Sequence, residues 1–316
     1  MQSSCRNRAI PRQAAPLAAV RLRPAEGLPG ADLSRLGAGS RLDCDSTTRL
    51  GYDADAVSIL DLFRLDGRRA LVTGASRGLG REMALAFADV GADVVITGRT
   101  AETLERTAAD IRARGRQAWT RVVDMGVPEQ CQRACEEIRD TLGPIDVLVN
   151  NVGNRVTSGA IQDEPLSTWR QSIDLNLMSV VVPTRIFGAA MLTDARPGRI
   201  INIASISGLI ANRGIGGRDY ETSKAAVIHF TRCAAVDWAP HGITVNAICP
   251  GLFMTDVNRE WNERRPDVIE AFVRNVPMGR PGEPAEIGPL AVYLASPGAS
   301  YVTGATFVMD GGYTAW

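Results

Sequence analysis

From Leu65 onward the chain alternates between short apolar runs and longer stretches with helical spacing. RALVTG (Arg69–Gly74) is an apolar run that stops at glycine and predicts a buried strand. Leu79–Gly91 places apolar residues three and four apart and predicts a helix closed by Gly91. The alternation continues with a strand at 92–98, a helix at 101–115 ending in glycine, and a strand at 117–124. A helix opened by Pro128 runs to 143, and a fourth strand follows at 145–151. A long helix is expected over Leu166–Leu192, a strand over 198–205, a helix over Tyr220–Ala239 and a strand over 243–251. A charged helical insert (Asp256–Val276), a helix near Pro284–Ala295 and a last strand at 306–312 complete the pattern.

Short connections and near-continuous Val/Ile strands predict an α/β fold: a single Rossmann-type, doubly wound parallel sheet of about seven strands with helices on both faces. Ligands in such sheets bind at the carboxyl ends of the strands, where the strand order reverses. Residues 61–316 are thus expected to form one dinucleotide-binding and catalytic domain, with a small substrate lid near 256–276.

The first strand ends in TGASRGLG (Thr73–Gly80). Glycines between a strand and a helix allow a tight turn and let a pyrophosphate approach the helix N-terminus. The second strand ends at Gly98–Arg99, with no acid placed to bond a ribose 2′-hydroxyl. Arg99 and Arg77 are arginine forks suited to a 2′-phosphate, so NADP(H) is expected over NAD(H).

Lys224 is the only lysine; the other 34 basic residues are arginine. It lies four residues after Tyr220, so the two share one helix face. A compact ammonium beside a phenol lowers the phenol's pKa toward neutrality, where acid–base catalysis is efficient.

With TGASRGLG, NNVG (Asn150–Gly153), YETSK (Tyr220–Lys224) and PGLFMT (Pro250–Thr255) in order, residues 62–313 resemble the short-chain dehydrogenase/reductase family. The wording is most similar to its gluconate 5-dehydrogenase group, with ketoacyl reductases next. The resemblance implies a catalytic tetrad of Asn176, Ser205, Tyr220 and Lys224. It also implies dinucleotide contacts from Thr73, Gly74, Ser76, Arg77, Gly78, Leu79 and Gly80. Arg99, Asp124 with Met125, the turn at Asn150–Gly153 (Asn151, Val152, Gly153), Tyr220, Lys224, Pro250, Gly251 and Thr255 would complete the site. Val152 departs from the family's usual alanine. The implied activity is interconversion of a ketone and a secondary alcohol, on a sugar acid such as gluconate/5-keto-gluconate. The alternatives are a 3-ketoacyl-thioester reductase and a dinucleotide-sensing protein without catalysis. By analogy the assembly is a homotetramer.

A net charge of zero, 22% charged and 45% hydrophobic residues describe a globular chain with no basic patch for nucleic acid. No run of ~18 apolar residues suggests a membrane span. Six cysteines and two histidines show no metal-ligand spacing, and the thiols read as reduced in a cytoplasmic protein. Residues 1–60 are rich in Arg, Ala, Gly, Pro and Ser without a period, and read as a disordered extension or an upstream-assigned start ahead of a transit peptide. Arg155, Asn212 and Arg213 could face a substrate, and His229 reads as a packed or surface residue.

Overall fold

The computed structural model describes residues 58–316 apart from Gly214. The reading of residues 1–60 as an extension falls almost wholly outside the described residues.

Seven strands form one parallel sheet: β1 (Arg69–Val72), β2 (Asp93–Gly98), β3 (Ala118–Val122), β4 (Val147–Asn150), β5 (Gly198–Ile203), β6 (Ile243–Pro250) and β7 (Thr306–Met309). Their spatial order is β3-β2-β1-β4-β5-β6-β7. Every neighbouring pair is parallel. The winding reverses between β1 and β4, and this opens a crevice at their carboxyl ends.

Central strands lie between two helical layers, so successive side chains on both faces are buried. Ala70, Val72, Val94, Ile96, Val147, Val149, Ile201 and Ile203 pack on one face against α1 (Gly78–Asp89), α2 (Ala101–Arg112) and α9 (Ile287–Ala295). Leu71, Val95, Leu148 and Ile200 pack on the other against α3 (Pro128–Leu142), α5 (Ser179–Thr193) and α6 (Arg218–Trp238). This two-sided burial explains why the strands read as continuous apolar runs.

The long helix expected over Leu166–Leu192 is in three parts. α4 (Leu166–Ile173) passes into a π-helical turn, Asp174–Met178, and continues as α5. π turns within helices recur at functional sites, and this one carries Asn176. The run Leu166–Thr193 is long and apolar enough to cross a membrane, with a mean hydropathy of 1.5 over 18 residues. That corrects the sequence reading, which found no such stretch. Half of this window is buried inside the fold, and Val182, Phe187 and Met191 belong to the core. It is therefore the core helix of an α/β domain.

The insert after β6 resolves into α7 (Asp256–Arg264) and α8 (Pro266–Val273). The break falls at Arg265, because the residue before a proline is pushed out of the helical region.

Candidate active site

Four connections meet at the crevice: the glycine loop after β1, the turn after β4, Ser205 after β5, and the segment after β6. They enclose a cavity of about 510 Å³.

Gly74 and Gly78 have φ of 66° and 57°, a region that L side chains rarely occupy. Gly80 serves close approach instead: a Cβ there would lie 2.5 Å from both Asn151 Nδ2 and the Gly74 carbonyl oxygen. Asn151 Nδ2 donates to the carbonyls of Thr73 (3.0 Å) and Gly74 (3.1 Å). The Asn151 amide donates to Thr73 Oγ1 (3.0 Å), whose hydroxyl reaches the Val149 carbonyl (3.3 Å). The turn after β4 is thus bolted to the glycine loop.

Of the expected dinucleotide contacts, Gly74, Ser76, Arg77, Gly78, Leu79, Arg99, Asp124, Met125, Asn151, Val152 and Gly153 line the cavity, as do Tyr220, Lys224, Pro250, Gly251 and Thr255. Thr73 and Gly80 do not line it; they are buried and shape the loop from behind. Asn150 is also buried, donating to Thr184 Oγ1 (2.9 Å) and Asn202 Oδ1 (2.8 Å) between strands and helix. Val152 packs a methyl 3.0 Å from where a Cβ on Gly74 would stand. Arg77 and Arg99 are exposed at one end of the cavity, with no ion pair among the described residues. Asp124 accepts a bond from the Gly126 amide (2.9 Å). These features fit a dinucleotide: a backbone cradle closed to side chains, two unpaired guanidiniums and a carboxylate along one cleft.

At the other end Ser205 caps a single 3₁₀ turn, its Oγ accepting from the Ser207 amide at 3.1 Å. Its hydroxyl faces Tyr220 on α6 and favours the ionised phenol. Lys224 is 2% exposed, and its Nζ donates to the Ile203 carbonyl at 2.9 Å. Its Nζ is 5.9 Å from the centre of the Tyr220 ring. Asn176 is fully buried. Its Oδ1 accepts from the Asn154 amide (2.9 Å), and its Nδ2 donates to the carbonyls of Asn154 and Ser172 (3.0 Å each). Gly153 separates Lys224 from Asn176: a Cβ would stand 2.7 Å from Lys224 Nζ and 2.8 Å from Asn176 Oδ1.

The electrostatics differ from the sequence expectation. Burial raises the Tyr220 phenol above its ordinary value, opposed by the Ser205 hydroxyl and the Arg155 charge. Burial lowers Lys224 to about 8, while Cys249 pushes it the other way. The Lys224 ammonium is held by the Ile203 carbonyl, and burial is the largest influence on both groups.

Sequence reasoning undervalued the residues around the tetrad. Arg155 lies over the Tyr220 ring, its guanidinium carbon 4.8 Å from the ring centre. Asn212 is buried rather than facing a substrate, and donates to Ser207 Oγ and Glu221 Oε1 at 2.9 Å each. Arg213 and His229 are exposed. Asp256, Val257 and Asn258 of the insert line the cavity, so its start closes one side of the cleft. Among the described residues no cluster of three or more His, Cys, Asp or Glu could hold a metal ion.

A family model described as enoyl-(acyl carrier protein) reductase matches residues 74–314. The chain belongs to the short-chain dehydrogenase/reductase family. It is similar to galactitol 2-dehydrogenase (L-tagatose-forming) of Cereibacter sphaeroides, 39% identical over 81% of this chain and 98% of that protein. It is 36% identical to a 3-oxoacyl-[acyl-carrier-protein] reductase of Synechocystis sp., over 78% of this chain and 97% of that protein. Among solved structures, gluconate 5-dehydrogenase from Burkholderia cenocepacia in complex with NADP and tartrate superimposes with a TM-score of 0.76. It is 33% identical and covers 82% of this chain and 100% of that one. As a short-chain dehydrogenase/reductase the chain is an oxidoreductase acting on CH–OH groups with a nicotinamide cofactor.

Proposed function

We propose that the chain interconverts a ketone and a secondary alcohol on a polyhydroxylated small molecule, a polyol or a sugar acid such as gluconate, with NADP(H). The carrying observation is the meeting of Ser205, Tyr220 and Lys224 in one cleft that Asn154, Asp256 and Asn258 also line. The polar side chains of that lining supply hydrogen-bonding groups for hydroxyls. The relatives that act on galactitol or gluconate support the substrate class.

The bound dinucleotide supplies or accepts the hydride. Arg77 and Arg99 would hold a 2′-phosphate, and Asp124 would meet the adenine end. In reduction, Ser205 Oγ donates to the substrate oxygen where negative charge develops. Tyr220, kept protonated by burial, donates the proton to that oxygen. Lys224 places its charge beneath the site, and Asn176 fixes the Asn154 backbone beside the substrate. In alcohol oxidation Tyr220 must first lose its proton. Four free cysteines among the described residues support a reducing, cytoplasmic setting. By analogy with the family, the assembly is a homotetramer.

Initial rates with NADPH and NADH on keto-sugars, 5-keto-gluconate, galactitol and gluconate test this reading. Turnover of a polyhydroxylated substrate with NADPH is expected. Turnover restricted to a short 3-ketoacyl thioester would transfer the assignment to the acyl reductases, a reading favoured by exposed Arg264 on the insert, which has no ion pair among the described residues.

A further inference from the structure

Arg155 follows the turn after β4 and lines the same cavity as Ser205 and Tyr220. Its guanidinium carbon is 4.8 Å from the Tyr220 ring centre, nearer than Lys224 Nζ at 5.9 Å. The guanidinium is fixed in that place. Its Nη1 donates to the Gly216 carbonyl and, at 3.0 Å, to the Gly217 carbonyl, in the turn that opens α6. The two segments also join through backbone, the Gly217 amide donating to the Gly159 carbonyl at 3.1 Å. Gly217 has φ of 83°, and a Cβ there would stand 2.6 Å from Arg155 Nη1. Only glycine permits both the turn and the arginine beside it.

The charged and titratable groups around Tyr220 come from every neighbouring element. Arg155 faces it from the loop after β4, Lys224 from its own helix, and Cys249 from β6, with the Ser205 hydroxyl at the end of β5. Asp219 and Glu221 flank it in sequence on α6; Glu221 is bound to Asn212 and Arg218. Cys249 is raised to about 11 by burial, so it is a neutral thiol near pH 7. Arg155 thus remains the cation seated closest to the ring.

We propose that Arg155 is a positioning residue for the redox reaction, seating the Tyr220 ring and supplying the positive charge nearest its face. This rests on the ketone–alcohol reading above. It divides the labour at the site: Lys224 is anchored below by Ile203, and Arg155 acts from above through the ring. The Arg155 charge also favours the ionised phenol against burial.

Arg155→Gln and Arg155→Lys test this in the full chain with two readouts. One is tyrosinate absorbance against pH, with the Tyr220→Phe spectrum subtracted. The other is the pH–rate profile of alcohol oxidation with NADP+. Arg155→Gln is expected to move the tyrosinate step and the rising limb of oxidation upward by about half a pH unit or more, slowing oxidation below the limb about threefold. Arg155→Lys is expected to recover most of that displacement, because it keeps the charge. A step and limb at the wild-type position in Arg155→Gln would overturn the proposal and leave a structural tie. If the glutamine variant does not fold, the lysine variant decides: a step displaced upward by a unit or more, about tenfold in the equilibrium, would overturn it. The absorbance readout needs no substrate. Failure to oxidise any alcohol would thus count against the functional reading, and an unmoved step against Arg155 alone.

Discussion

At the scale of single residues, the site is governed by burial as much as by charge pairing. The lone lysine shows this. Its folded pKa of about 8 lies below the ordinary 10.5, so the unfolded chain binds more protons between those values. Stability from this group therefore rises with pH through that window, and the full penalty is present below about 8. Lys224→Met should melt a few degrees higher than wild type at pH 7, and the difference should vanish above about pH 10.5. Thermal melts of both proteins across that range would check it; a constant difference would contradict it. The Tyr220 shift has the opposite meaning for turnover. A phenol raised by burial is a ready proton donor, so ketone reduction should be flat through neutrality and decline only in alkali. Alcohol oxidation should climb through the same alkaline range, a pair of pH–rate profiles that one preparation can supply. That Tyr220, Lys224 and Ser205 line one cleft was legible in the chain from YETSK and the end of β5. The direction of the Tyr220 shift was not. It depends on how deeply α6 is packed and on where Arg155 folds back, and neither has a local signature.

At the scale of elements, loops do the specifying while strands and helices hold them. The glycine loop was legible because its residues are contiguous and sit between a strand and a helix. The separate tasks of its glycines were not. Gly74 and Gly78 answer to backbone torsion, whereas Gly80 answers to the approach of Asn151 and the Gly74 carbonyl across the crevice. Gly80→Ala should therefore weaken NADPH binding by about five- to a hundredfold, since backbone cannot yield as a flexible side chain can, an overpacking penalty of about 1–3 kcal/mol. Fluorescence titration of the cofactor would measure it; wild-type affinity would show that the loop is not the cradle. The helix carrying Asn176 illustrates a second limit. Its apolar spacing correctly predicted one continuous helical run from Leu166, but not the π turn at 174–178. That turn points Asn176 at Asn154, and only tertiary contact reveals it. Likewise Asn212 looked like a free loop residue, yet it is buried between Ser207 and Glu221. A loop's polar residues cannot be sorted into packed and exposed before the loop's path is known.

At the scale of the whole molecule, strand alternation was the strongest signal in the sequence. Two-sided burial forces continuous apolar strands, and short crossovers leave little freedom except a parallel sheet with one reversal of winding. That reversal brings the carboxyl ends of β1, β4, β5 and β6 together, and so gathers residues from Gly74 to Thr255 into one cleft. The chain carries no net charge, so long-range attraction contributes little to cofactor choice. Under the proposed function, selectivity rests on the local pair Arg77 and Arg99. Replacing both with serine should raise the NADPH KM by about a hundredfold or more and leave that for NADH within about threefold, given about 1.5–3 kcal/mol for each charge-assisted bond. Equal losses for both cofactors would remove the arginines from that role. Proton transfer by Tyr220 is the step on which the proposed ketone–alcohol chemistry depends. Its most direct test is Tyr220→Phe assayed beside wild type with NADPH and a polyhydroxylated ketone, with cofactor affinity measured on the same preparations. NADPH binding unchanged within a few-fold and a loss of turnover of about a hundredfold or more are expected. Turnover at the wild-type rate in Tyr220→Phe would contradict proton transfer by Tyr220.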